Sequence, residues 1–143
     1  MKKYQTLKKR IKKHEGFRFS PYLDQLGNPT IGFGHLIRNN EKDLFKKKQN
    51  KKNLNNIFNL DFNKSVNDYN KYFKKYNFSK NIEYFLIEMI FQLGIEKQRK
   101  FKKMTNHLIK KNYYMACMEI KNSLWYKQTP RRVDSLIKNI LKQ

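Results

Sequence analysis

Cysteine is almost absent from this chain of 143 residues: Cys117 stands alone, so no disulfide can form within it and no cysteine framework for zinc exists. Acid is scarce as well. Eleven Asp and Glu face 33 Lys and Arg, a formal charge of +22, which makes something anionic the expected partner. Nucleic acid, anionic envelope polymers and lipid headgroups all satisfy that electrostatics. A plain solvated basic face, enriched by a composition heavy in Lys, Asn, Ile, Phe and Tyr, satisfies it too. No apolar run approaches the roughly 20 residues of a membrane span. The most apolar stretch, Tyr84 to Ile95, is broken by Glu88 and Gln92. The lysine-rich opening segment has no apolar core, so no secretory signal is expected and the protein is expected in a cytoplasm. Five glycines and three prolines are few, and four of the glycines fall between positions 16 and 34, which concentrates the unusual backbone geometry there.

What the chain does have is apolar and aromatic content spread along its length, enough for one domain or two small lobes sharing a helix. Tyr4, Leu7 and Ile11 recur at helical spacing before Gly16, predicting a helix over about 2–14 with Glu15 at its end. Residues 17–34 alternate strand formers with breakers and read as a hairpin turning at Leu26 to Pro29. Asn39 to Lys52 reads as a flexible Lys/Asn-rich connection. From Leu54 through Phe58, Phe62, Val66 and Phe73 to Tyr76, apolar residues step by three or four, as in one long amphipathic helix. Ile82 to Leu93 reads as a buried helix, and three more follow over about 101–109, 113–120 and 133–141. The last is expected to start at Thr129 as N-cap with Pro130 behind it.

Two carboxylates stand alone in the first 37 residues, Glu15 at a helix end and Asp24 after a strand. A reversal at Gly16 can bring them to opposite walls of one cleft. A pair of carboxylates flanking a bond is the apparatus of glycoside hydrolysis: one protonates the leaving oxygen, the other activates water or attacks the sugar. Two acids nine residues apart are also common as ordinary surface acids paired with lysines, so the spacing alone does not decide.

The surrounding residues are more specific. His14-Glu15-Gly16, Pro21-Tyr22-Leu23-Asp24 and Gly27-Asn28-Pro29-Thr30-Ile31-Gly32-Phe33-Gly34-His35 together resemble the active-site segment of phage lysozymes of the T-even type, in glycoside hydrolase family 24. Met89-Ile90-Phe91-Gln92-Leu93-Gly94 and Trp125-Tyr126-Lys127-Gln128-Thr129-Pro130-Arg131-Arg132 are similar to two later segments of that family. The resemblance runs over the whole chain except 39–52, where this sequence is shorter.

That resemblance implies a lysozyme-like α+β fold, mostly α: a hairpin-bearing N-terminal lobe of about 12–55, a linking helix of about 53–76, and a helical lobe of about 77–143 packed with helix 2–14, all one lysozyme domain. It implies a muramidase that cleaves peptidoglycan by inversion, with Glu15 as general acid, Asp24 as the opposing carboxylate and Thr30 as the hydroxyl holding the attacking water. Leu36, Phe91 and Arg132 match substrate-side positions, although Phe91 also suits core packing and Arg132 a helix surface. Met104 and Glu119 fall where the family carries smaller polar residues. His35 and Asp61 match a structural ion pair. No metal or other cofactor is implied, and the expected partners are cell-wall peptidoglycan and, nonspecifically, anionic polymers, with no specific nucleic acid, no membrane span and a monomeric state. An endolysin of this kind would wait in the host cytoplasm until released to the wall. The alternatives are a non-catalytic basic binding protein on the same scaffold and a lytic transglycosylase. Cys117, in an apolar stripe, reads as core.

Overall fold

The glycine-rich segment folds as the sequence suggests, into a small sheet whose first turn holds Asp24 and which follows the helix that ends at Glu15. A computed structural model describes residues 2–46 and 49–142. The first helix, α1 (Gln5–Glu15), follows a short 3-10 turn and stops at Gly16. Gly16 has φ 73° and ψ −179°, a glycine-only extended conformation that ends the helix. Three antiparallel strands follow in the order β1 (Arg18–Leu23), β2 (Pro29–Gly32) and β3 (His35–Leu36).

The β1–β2 turn sits earlier than predicted, because Asp24 rather than Pro29 sets it. The Asp24 amide bonds to the Asn28 carbonyl at 2.9 Å, Gly27 takes φ 80°, and Pro29 already pairs with Leu23 in the sheet. A three-residue tip with a left-handed glycine is a favoured hairpin closure.

Segment 39–46 corrects the expectation of a flexible connection. Asn39–Glu41 forms a 3-10 turn and Asp43–Lys46 a short helix, α2, while residues 47 and 48 of the predicted connection lie outside those described. Composition suggested a loop, but Glu41 orders the turn by accepting the Arg38 amide at 3.0 Å and meeting the His35 ring. The long helix is α3 (Lys51–Phe73), continued by a 3-10 turn to Tyr76. Then come α4 (Lys80–Leu93), α5 (Ile95–Arg99), α6 (Lys102–Ile109), α7 (Tyr113–Lys121), α8 (Leu124–Gln128) and α9 (Pro130–Leu141).

The chain divides into two compact units, Met1–Lys64 and Ser65–Gln143, with α3 contributing to both. In the first, Leu7, Ile11, Ile31, Leu54, Phe58 and Phe62 are buried. Beside them aromatic rings form a continuous series from the half-buried Phe17 and Phe33 through Phe58 and Phe62 to Tyr4, at centroid spacings of 4.7 to 6.1 Å. Each such ring removed from water contributes about 1.5–3 kcal/mol. Gly32 is needed where α3 meets the sheet: a Cβ there would lie 3.3 Å from Leu54.

In the second unit every residue of α4 from Tyr84 to Ile90 is buried, as its all-round apolarity predicts. Gln92 fixes the later signature: its amide oxygen accepts the Trp125 indole N–H at 3.0 Å, and its amide nitrogen donates to the Thr129 hydroxyl at 3.2 Å. Thr129 does precede α9, with Pro130 first, but its hydroxyl donates to the Trp125 carbonyl at 3.3 Å and makes no capping bond. Cys117 is buried, and burial pushes its thiol up, which keeps it an inert core residue.

Candidate active site

Alternation along the strands sorts the site residues. Ile31 and His35 pair across β2 and β3, point to one face and are buried there. On the other face Tyr22, Thr30 and Leu36 stand in one row across all three strands, through the pairs Tyr22–Thr30 and Thr30–Leu36. Asp24 follows Tyr22 by two residues and continues that side of β1 into the turn.

The Asp24 carboxylate is built into its loop. Oδ1 accepts the amides of Leu26 at 2.9 Å and Asn28 at 2.8 Å, so two main-chain groups hold the side chain while the turn leaves Oδ2 unused. Thr30 is buried and its hydroxyl donates to the Asn28 carbonyl at 2.9 Å. With its proton committed, the Thr30 oxygen can only accept from a further molecule.

Glu15 ends α1 and packs against the main chain of Gly34. A Cβ at Gly34 would lie 2.8 Å from the Glu15 carboxyl carbon, and φ there is 76°, so only glycine leaves the carboxyl its place. Tyr22 is held above its ordinary pKa by burial first and then by the negative charge of Glu15, with Arg18 opposing and Asp24 adding a smaller push upward. The Arg18 guanidinium lies 4.5 Å from the Tyr22 ring centre. The sequence reading included Tyr22 in the Pro21-Tyr22-Leu23-Asp24 segment of the resemblance but gave it no role beyond a strand residue. Its position two before Asp24, on the same strand face, was the available signal.

The remaining sequence-predicted residues divide by unit. Leu36, 51 % exposed, shares the first unit and the row of Thr30. Phe91 and Arg132 lie in the second. There the Arg132 guanidinium meets Glu88 at 3.3 Å, a fully buried carboxylate that the sequence reading passed over. Leaving either charge of such a pair alone costs about 3–5 kcal/mol. Among the described residues no group of His, Cys, Asp and Glu is placed to hold a metal.

His35 and Asp61 do pair, Nδ1 to Oδ2 at 2.7 Å, and sequence missed the third member, Glu41, 3.0 Å from Nε2. Burial, the largest single influence, would lower the His35 pKa, but the two carboxylates together outweigh it and raise the imidazole above its usual value. Burial likewise works to raise Glu41, and the Arg38 amide and His35 together bring it below its usual value.

A raised histidine stabilises fully below its unfolded pKa of 6.5 and loses that contribution as pH climbs through the folded value. A lowered glutamate stabilises fully above its unfolded pKa of 4.5 and loses it as pH falls through the folded value. Thermal melts should therefore show the triad's contribution greatest between those two values. The native Tm should fall by several degrees toward pH 9, and His35→Gln should flatten that fall. A variant with the native pH dependence would remove the triad from this role.

An α+β chain, mostly helical, with one candidate acid at a helix end and the other in the hairpin turn of a small three-stranded sheet, has the makeup of a lysozyme-type glycoside hydrolase. Comparison with known proteins makes this particular: the phage lysozyme family model matches residues 12–139, and the chain belongs to that family. It is 30% identical over 161 aligned positions to "Probable T4-type lysozyme 2" of Dictyostelium discoideum, covering 92% of this chain and 91% of that one. It is 31% identical over 155 positions to "Probable T4-type lysozyme 1" of the same organism, again covering 92% and 91%. Both alignments are longer than the 143 residues available here, so these relatives carry segments this chain lacks. The family assigns a lysozyme-type, peptidoglycan-degrading function.

Proposed function

We propose that the protein hydrolyses the β-1,4 bond between N-acetylmuramic acid and N-acetylglucosamine with inversion at the anomeric carbon. Glu15 gives its proton to the leaving glycosidic oxygen, and Asp24 takes a proton from the attacking water. The observation that carries this reading is the placement of Asp24, held by its own turn through one oxygen, on the strand side of the buried Thr30 hydroxyl, with Glu15 packed against Gly34 in the turn between the next two strands. A water that donates one hydrogen to Asp24 and the other to the acceptor-only Thr30 oxygen turns its lone pair outward, toward an anomeric carbon. Tyr22, kept protonated, is a donor for the sugar or the water. Leu36 offers an apolar surface to a sugar face. No cofactor enters these steps.

The setting we propose is lysis of a bacterial host by a monomeric endolysin of phage type, held in the host cytoplasm until it reaches the wall. The family and the basic charge support it. No helix among the described residues is long and apolar enough to cross a membrane.

Product analysis tests the chemistry. Purified peptidoglycan digested by the protein should yield reducing N-acetylmuramic acid ends, with the α anomer appearing first by NMR. A 1,6-anhydro end would establish a transglycosylase instead. Tight binding to peptidoglycan with no new ends would establish a non-catalytic binding protein.

A further inference from the structure

We propose that Lys8, Lys12 and Lys51, framed by Asn55 and Asn59, form a binding site for the phosphate-ester groups of anionic polymers attached to the bacterial wall. Lys8 and Lys12 stand one turn apart on the α1 face that reaches Glu15 a turn later, and Lys51 opens α3. Their ammonium groups are positioned rather than free. Lys12 Nζ donates to the Asn55 amide oxygen at 2.9 Å and lies 4.9 Å from the ring centres of both Phe33 and Phe58. Lys8 Nζ donates to the Asn59 amide oxygen at 3.3 Å and lies 5.1 Å over Phe62, and Lys51 lies 5.8 Å over Phe17. These side chains have thus already lost much of the freedom an anion would otherwise have to freeze out.

What the three lysines lack is a counter-charge. Among the described residues none of them is ion-paired with a carboxylate. Burial first, and then the charges of Lys8 and Lys51, lower the proton affinity of Lys12, a cost that a bound anion would relieve. Compact ammonium charges suit phosphate oxygens, which accept several charge-assisted bonds at once. Two of the rings argue against base stacking by a nucleic acid: Phe58 and Phe62 lie beneath the ammonium groups of Lys12 and Lys8 and are only 1% and 0% exposed, so they offer no face to a base. The choice of a wall polymer as the phosphate's source rests on the peptidoglycan reading. The anion site itself does not.

Two measurements, neither requiring cleavage, test it. Inorganic phosphate titrated into the native protein at low ionic strength should shift the side-chain NMR signals of Lys8, Lys12, Lys51 and Asn55 together. Saturation should come at about a tenth of the concentration needed at other exposed lysines, a difference of about 1.4 kcal/mol. Uniform, unsaturable shifts at all lysines would overturn the site.

Sedimentation with walls carrying phosphodiester polymers should then lose about tenfold in affinity for Lys8→Gln/Lys12→Gln/Lys51→Gln. The loss should be less than about twofold for Lys97→Gln/Lys110→Gln/Lys138→Gln, which removes equal charge from exposed positions elsewhere. Walls stripped of phosphate polymer should not distinguish the two variants. Equal losses in both would assign the binding to bulk charge, and a larger loss on duplex DNA than on walls would make this a nucleic-acid surface; either overturns the proposal. If the triple variant does not fold, Lys51→Gln alone should lose about threefold, and an unchanged affinity would count against the site. A protein that passes both tests yet releases no reducing ends would refute the cleavage reading while leaving this one standing.

Discussion

Glu15→Gln is expected to lower lysis of permeabilised bacteria by about 10³-fold or more, with a melting temperature close to the native one. Glutamine fills the same volume against Gly34, where a single added carbon would already collide, so the helix end and the sheet keep their contact. What the amide cannot do is supply the proton that the leaving oxygen needs before the glycosidic bond breaks. Turbidity clearing reads the activity and circular dichroism the fold. Activity within a few fold of the parent would take Glu15 out of the proposed role.

Asp24→Asn is expected to lose about 10²–10³-fold in activity, and it separates chemistry from architecture unusually well. An asparagine oxygen accepts the Leu26 and Asn28 amides as a carboxylate oxygen does, so the hairpin should close unchanged. Only the base is lost. Asp24→Ala removes the acceptor too and should add about 1–3 kcal/mol of destabilisation from the two unsatisfied amides. Equal Tm values for the two variants would mean that the side chain does not hold the turn. Full activity of Asp24→Asn would end the two-carboxylate mechanism.

The parts of the molecule legible in sequence were those written in local patterns. The Glu15-Gly16 pair gave the end of α1, the three-and-four step from Leu54 to Phe73 gave α3, and the glycines between 16 and 34 marked the sheet. The misread parts depend on partners distant in sequence or on side chains with two uses. Segment 39–46 has the composition of a loop, and Glu41 orders it only because His35 comes back beside it. Thr129 has the residue type of a cap, but its hydroxyl serves Trp125 and Gln92 instead. Helices α5 and α8, five residues each, are too short to show a period. Of the candidate site residues named from the motif, Glu15, Asp24, Thr30 and Leu36 fall on one unit. Tyr22 lay in the same motif but was given no role, because an aromatic in a strand has a sufficient reason to be there without any chemistry.

Holding Asp24 through the amides of its own loop has a consequence for how such a sequence can change over time. Main-chain N–H groups belong to every residue except proline, so the grip on the carboxylate is indifferent to which side chains stand at Gln25 and Leu26. Both are exposed, and mutation can explore them almost without constraint while the charge stays in register. Gly27 is the exception, since its positive φ closes the tip. The lip of the proposed cleft is thereby free to diversify toward differently decorated walls, at two adjacent positions, with the reacting groups left in place.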